Sequence, residues 1–67
     1  MIYMLVPRGG AEWEDIRLFS TFSAVEDVMN RVKGDWCFTI AFDGMDELKP
    51  VFLYSFKNGM IFRTPIQ

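Results

Sequence analysis

Val51-Phe-Leu-Tyr-Ser-Phe56 is followed by Lys57-Asn-Gly59 and then by Met60-Ile-Phe-Arg-Thr64. Both outer runs are rich in β-branched and aromatic residues, which favour strands. The Asn-Gly pair between them favours a two-residue turn in which both central residues have positive φ, and it is the strongest short-range signal for a hairpin. The sequence therefore predicts a β-hairpin over residues 51–64, on which the rest of the chain assembles.

A helix is predicted upstream of this hairpin, over residues 24–33. Ser23 is the expected N-cap, and Glu26 follows three residues later, as in a capping box. Gly34 is placed to close the helix in the left-handed conformation. Helical spacing brings four apolar residues onto one face, which is predicted to meet the core: Val25, Val28, Met29 and Val32.

Three further strands are predicted, over residues 2–6, 13–20 and 36–42. In the second of them Ile16 and Leu18 share one face and are expected to point into the core. In the third, large and small side chains alternate, and the large ones are expected to pack beneath the helix: Trp36, Phe38, Ile40 and Phe42.

The resulting order, β-β-α-β-β-β, predicts an α+β fold with residues 1–67 as a single domain. We expect a two-layer sandwich in which a mainly antiparallel sheet carries one helix on one face. A helix of ten residues is only about 15 Å long, so it cannot cover both sides of the sheet. The opposite face must then meet solvent or another chain. The strand order, and the face that the helix covers, stay open.

Both alternations of the fourth strand are apolar, so one apolar set must point away from the helix. We take Phe52, Tyr54 and Phe56 as interface candidates, together with Trp13, which lies between acidic residues. The predicted function is a small non-enzymatic protein-interaction or structural module that uses the sheet face opposite the helix. An alternative is a nucleic-acid-associated module in which the aromatic strand stacks against bases.

The size of the chain favours self-association or docking onto another protein. A domain of 67 residues buries only about 60% of the surface that its unfolded chain exposes, and small folds often compensate with disulfides, metals or oligomerisation. Cys37 is the only cysteine and histidine is absent, so an internal disulfide or a common zinc site is not available. With 51% hydrophobic and 16% aromatic residues, some apolar surface is expected to be shared with a neighbour, in a homo-oligomer or a complex.

The sequence contains no pattern typical of an enzyme. We predict no catalytic, cofactor-binding or metal-binding residues, because the carboxylates of the turn at residues 43–47 lack the spacing of a calcium loop and Cys37 has no histidine to activate it. A net charge of −2 makes a nucleic-acid partner unlikely, since phosphate neutralisation needs a basic surface. No apolar run approaches the roughly 20 residues of a membrane span. A lone cysteine favours a reducing, cytoplasmic location.

Glu12-Trp-Glu-Asp-Ile16, followed by Phe19, Ser20 and Ala24, resembles a segment in a group of small uncharacterised proteins encoded by large double-stranded DNA viruses of eukaryotes. In that group a serine-capped helix, a strand and a closing segment with proline, aromatics and Asn-Gly follow. The similarity runs from about Ile2 to Gly59. It implies a viral accessory or minor structural protein, such as a virion or capsid component, located in the host cytoplasm or in the virion, and it brings no catalytic residues.

Overall fold

The predicted hairpin is present in the computed structural model, which describes residues 1–9 and 12–66. Asn58 and Gly59 have φ values of 54° and 77°, as a two-residue turn of this type requires. The strands and the helix, numbered along the chain, are β1 (Ile2–Pro7), β2 (Arg17–Phe19), α1 (Phe22–Val32), β3 (Trp36–Asp43), β4 (Lys49–Lys57) and β5 (Met60–Pro65). The α+β class and the predicted element order are therefore confirmed.

The five strands form one antiparallel sheet in the order β2-β1-β3-β4-β5. Since β1 runs antiparallel to both of its neighbours, β2 and β3 are parallel to each other. The chain between β2 and β3 must therefore cross β1, and α1 makes that crossing, packing on β1 and β2. This placement puts the helix over β1 and β2, and the ring of Phe22 in its first turn reaches Tyr54 on β4.

The apolar stripe of α1 is confirmed, since Val25, Val28 and Met29 are buried and Val32 packs against the core. The predicted start is wrong by two residues. The helix begins at Phe22, and its N-cap is Thr21, whose hydroxyl oxygen accepts a hydrogen bond from the Ala24 N–H at 3.3 Å.

The backbone and the side chain of Thr21 explain why the helix starts two residues earlier than predicted. Thr21 has extended backbone angles, which suit an N-cap, and its hydroxyl reaches the third helical N–H as a cap residue should. Ser23 lies within the first turn instead. At the other end the cap is Lys33, with a φ of 39°, one residue before the glycine predicted for this role.

Replacing Thr21 with Ala is expected to lower the free energy of unfolding by about 1 kcal/mol, because a helix N–H loses its acceptor. In a domain of this size that corresponds to a fall of roughly 4–8 °C in Tm. Ser23→Ala is the matched control, and it should change Tm little because Ser23 is exposed inside the helix. Thermal unfolding followed by circular dichroism measures both, and an equal loss in the two variants would contradict the cap assignment.

The small residues of β3, and not the large ones, lie beneath the helix, so the predicted packing of this strand is wrong. Thr39 and Ala41 are fully buried, and the Thr39 hydroxyl lies 3.3 Å from the sulfur of Met29. Small side chains let α1 approach the centre of the sheet closely, while tyrosines on the neighbouring strands fill the space on either side: Tyr3 and Tyr54. Three of the large side chains point to the opposite face: Phe38, Ile40 and Phe42.

Trp36 is the exception among these large residues, and it is buried on the helix side. The register between β1 and β3 shifts between Val6 and Pro7, so that Phe38 pairs with Val6 but Trp36 pairs with Pro7. One extra residue, Cys37, is accommodated on β3. A bulge of this kind reverses the face of every side chain that precedes it, which returns Trp36 to the core.

The second strand is shorter than predicted. A 3-10 turn occupies Trp13–Asp15, and β2 covers only Arg17–Phe19. Phe19 faces the helix and packs against the core, whereas Leu18, predicted to point inward, is 68% exposed. The expectation for Leu18 is wrong because Phe19 pairs directly with the buried Tyr3, which fixes Leu18 on the other face.

Candidate functional site

The sheet face opposite the helix is apolar across all five strands. The register places Met4 beside Leu18 on one side and beside Ile40 on the other, and Ile40 in turn lies beside Leu53. The same face continues along these strands to Phe42 beside Ile2 and to Phe38 beside Val6, up to the register shifts. We call this surface the open face, and its apolar members are Ile2, Met4, Val6, Leu18, Phe38, Ile40, Phe42, Leu53, Met60 and Phe62.

Within the described part of the chain, nothing packs over the open face. Leu18, Met60 and Phe62 at its margins are 68%, 62% and 44% exposed, and the members nearer the centre are half-buried by their neighbours in the sheet. Among the paired positions on this side, Lys57 at the hairpin end is the one charged residue. An extended, nearly uncharged apolar surface of this kind marks an interaction site in soluble proteins.

The aromatic residues predicted to line that surface lie on the other side of the sheet. Phe52, Tyr54 and Phe56 face the helix, and Tyr54 is only 6% exposed. Phe56 packs against Trp36, with ring centroids 6.5 Å apart. Assigning these three residues to the face opposite the helix was therefore wrong. The side chain of Trp13, the fourth candidate, lies outside the described part of the structure.

The cause of this error is the choice of alternation in β4. Tyr54 pairs with Thr39, and Phe52 pairs with Ala41, so the small buried residues of β3 determine the face that β4 presents to the helix. The buried position of Tyr54 also removes the three-aromatic stacking platform that the nucleic-acid alternative required. The sequence alone does not distinguish the two alternations of β4, because both are apolar. The strand order of the sheet is needed to choose between them.

A second feature, a groove on the helix side, forms where α1 stops covering the sheet. It runs over β4 between the N-terminal half of α1 and β5, and has a volume of about 480 Å³. Phe22 and Glu26 belong to its helix wall and Ile61 and Arg63 to its β5 wall. Its remaining lining residues come from β4 and from the start of the chain: Met1, Tyr3, Phe52 and Tyr54. Two of the predicted interface residues, Phe52 and Tyr54, thus border a recess.

Aromatic rings and one cation organise this groove. The Phe22 ring lies 5.3 Å from that of Tyr54 and 5.8 Å from that of Tyr3. The Arg63 guanidinium stands over the Phe52 ring, with 4.6 Å between Cζ and the ring centroid. Burial raises the pKa of the Tyr54 phenol, the proximity of Tyr3 raises it further, and the charge and hydrogen bonding of Arg63 offset part of the rise. The phenol is therefore held neutral as a hydrogen-bonding group.

This pKa shift predicts a loss of stability at high pH. Because the phenol binds its proton more tightly in the folded protein, its contribution is fully present below the unfolded value of about 10 and is lost as the pH rises through the folded value. The urea midpoint of the wild type should fall further between pH 8 and pH 11 than that of Tyr54→Phe, which cannot ionise there. Parallel curves for the two proteins would contradict the shift.

The described residues hold no cluster of three or more His, Cys, Asp or Glu side chains placed to share a metal ion. None of the helical residues described forms a segment long and apolar enough to cross a bilayer. Searches of protein-family models, curated proteins and solved structures return no match to this chain. The open face and the groove are the two surfaces of the described structure that suit a binding function.

Proposed function

We propose that this protein is a small structural or interaction module that associates with a second copy of itself through the open face. The observation that carries the proposal is the uncovered apolar surface spanning all five strands, from Leu18 on β2 to Phe62 on β5. Two such sheets packed face to face, about 10 Å apart, make a four-layer arrangement with one helix on each outer side.

The surface area of the chain supports this arrangement. The protein exposes 4906 Å², whereas a compact monomer of this mass is expected to expose about 4,400 Å². Five strands roughly 20 Å long and about 4.8 Å apart present a flat projection on the order of 400 Å². With side-chain relief added, pairing two open faces buries on the order of 1,000 Å² in total, at the lower limit of specific interfaces.

The distribution of charge on the open face also favours a second copy of the chain as the partner. Lys57 lies at the hairpin end, so the interior of the open face presents no like charges to an identical copy. Interfaces between identical subunits are more apolar than average, which matches this composition. A nucleic acid would instead need basic side chains on the surface that it contacts. A minor virion or capsid component, as the viral resemblance implies, is one form that such a module takes.

Mass in solution, measured by multi-angle light scattering over a hundredfold range of concentration, tests the proposal. We expect a dimer at high concentration that dissociates on dilution, because the predicted interface is small. A monomeric mass at every concentration would refute self-association. The open face would then be the binding surface for a different protein, and we would expect the affinity for that protein to be independent of salt concentration.

A further inference from the structure

The groove beside α1 presents opposite charges on facing walls above an aromatic floor. Glu26 lies on the helix wall and Arg63 on the β5 wall, and these two described side chains form no salt bridge with each other. The ring of Phe22 lies on the helix wall with Glu26, and the ring of Tyr54, 5.3 Å from it, lies between the two walls. Each charge is therefore available to a group carried by a ligand.

Arg63 is held in position before any ligand arrives. Its guanidinium stacks on the Phe52 ring at 4.6 Å and lies close enough to the phenol of Tyr54 to influence its pKa. A planar guanidinium has five N–H donors, so these contacts leave donors to bind a carboxylate in the two-pronged geometry typical of arginine. Stacking also restricts the rotamers of the side chain, which lowers the entropic cost of binding.

The size and the lining of the groove suit a small molecule. Its volume of about 480 Å³ lies within the roughly 300–1,000 Å³ of ordinary ligand sites, which combine an apolar lining with a few polar groups that orient the ligand. The Glu26 carboxylate would repel a second anionic group on the ligand and would attract an ammonium group. A ligand with one carboxylate, one ammonium and an apolar body satisfies all three features.

We propose that this groove binds a zwitterionic amino acid with an aromatic or large apolar side chain. The carboxylate pairs with Arg63, the ammonium pairs with Glu26, and the side chain lies against Phe22 and Tyr54. The neutral Tyr54 phenol hydrogen-bonds beside the carboxylate. This inference does not depend on the proposed self-association, because the groove and the open face lie on opposite sides of the sheet.

The test is an NMR titration of the ¹⁵N-labelled full chain with three probes: L-phenylalanine, N-acetyl-phenylalanine, which lacks the ammonium, and phenylalanine amide, which lacks the carboxylate. We expect saturable shifts around Tyr54 and Ile61 with L-phenylalanine, at a dissociation constant in the millimolar range. Each of the other probes should bind at least threefold more weakly. Absence of saturable shifts, or equal binding of all three probes, would overturn the proposal.

Matched variants locate the site. Arg63→Gln should weaken binding of L-phenylalanine at least fivefold, because a charge-assisted hydrogen-bonded pair is lost. Arg17→Gln is the control, since Arg17 also stacks on a ring of the same sheet side, that of Phe19 at 5.4 Å, but does not line the groove. Both arginines are exposed, so both variants should fold. Equal affinities for Arg63→Gln and Arg17→Gln would assign the binding to another surface.

A third variant, Glu26→Gln, tests whether Glu26 recognises the ammonium group. It should weaken L-phenylalanine and leave N-acetyl-phenylalanine unchanged, because only the first probe carries an ammonium. Glu47→Gln, in the exposed turn between β3 and β4, makes the same charge change away from the groove. If Glu26→Gln weakened both probes equally, Glu26 would not recognise the ammonium, and the zwitterion assignment would fail.

Discussion

Trp36→Ala is expected to leave most of the protein unfolded at 25 °C. Trp36 is 1% exposed and belongs to the core beneath α1, so its removal opens a cavity that the surrounding residues fill only in part. Such a change costs about 3–5 kcal/mol. In a domain of 67 residues a single core rarely supplies more than about 3–5 kcal/mol, so the loss is comparable to the whole.

Trp36→Phe separates packing from hydrogen bonding at the same position. Among the described residues, the buried indole N–H of Trp36 meets no hydrogen-bond acceptor. A buried donor without a partner costs about 1–3 kcal/mol, so phenylalanine loses some packing but relieves that cost. We expect Trp36→Phe to remain folded, with a loss of at most about 2 kcal/mol.

Urea unfolding followed by far-ultraviolet circular dichroism, at one fixed protein concentration, measures both variants. The fixed concentration matters because self-association stabilises the folded state by mass action. If the urea midpoint of Trp36→Ala equalled that of the wild type, the bulge would not place this side chain in the core. Equal losses in the two variants would show that the indole ring contributes beyond the volume of a phenyl ring.

The elements that the sequence predicts well are those with local causes. The turn at Asn58-Gly59 depends on two residues that tolerate positive φ, and the helix depends on apolar spacing within eleven residues. Its cap shows the limit of this reasoning, since Thr21 and Ser23 are both acceptable cap residues. The position of Phe22, which packs against Tyr3 and Tyr54, extends the helix by two residues and selects Thr21.

The faces of the strands could not be predicted in the same way. A single extra residue at Cys37 reverses the side on which Trp36 lies, and a second register shift between Ala41 and Phe42 affects the pairing of β4. Each shift lies beside a proline, Pro7 in the first and Pro50 in the second, but a proline is equally common at a strand end or a sheet edge, so it does not by itself identify a bulge. The alternation in β3 therefore predicts that its large residues point towards the helix. The close approach of α1 instead requires small residues on that face.

The groove depends on strand order, which local patterns do not contain. Glu26 and Arg63 belong to elements that meet only because β5 follows β4 at the edge of the sheet and α1 lies over β1 and β2. The open face was predicted as a surface, since one short helix cannot cover both sides. Its members were assigned wrongly because both alternations of β4 are apolar.

A double charge substitution on the open face, Leu18→Glu with Phe62→Glu, is expected to make the protein monomeric at every concentration. These residues stand at opposite margins of the face, on β2 and β5, and are 68% and 44% exposed. Each already meets water in the monomer, so the cost to folding should stay within about 0.5 kcal/mol per site. In a symmetric dimer each substitution occurs twice, and burying an unpaired carboxylate costs several kcal/mol. Self-association should therefore weaken at least a hundredfold.

Met45→Glu with Leu48→Glu is the matched control. It removes two exposed apolar residues, 99% and 47% exposed, and adds the same charge, but in the connection between β3 and β4 rather than on the paired strands. Light scattering should show a wild-type mass for this variant. If both double variants dissociated alike, net charge and not the open face would govern association. If neither did, the copies would meet elsewhere, and the exposed edge of β5 would be the next surface to test, since an unpaired strand edge is the other route by which sheets associate.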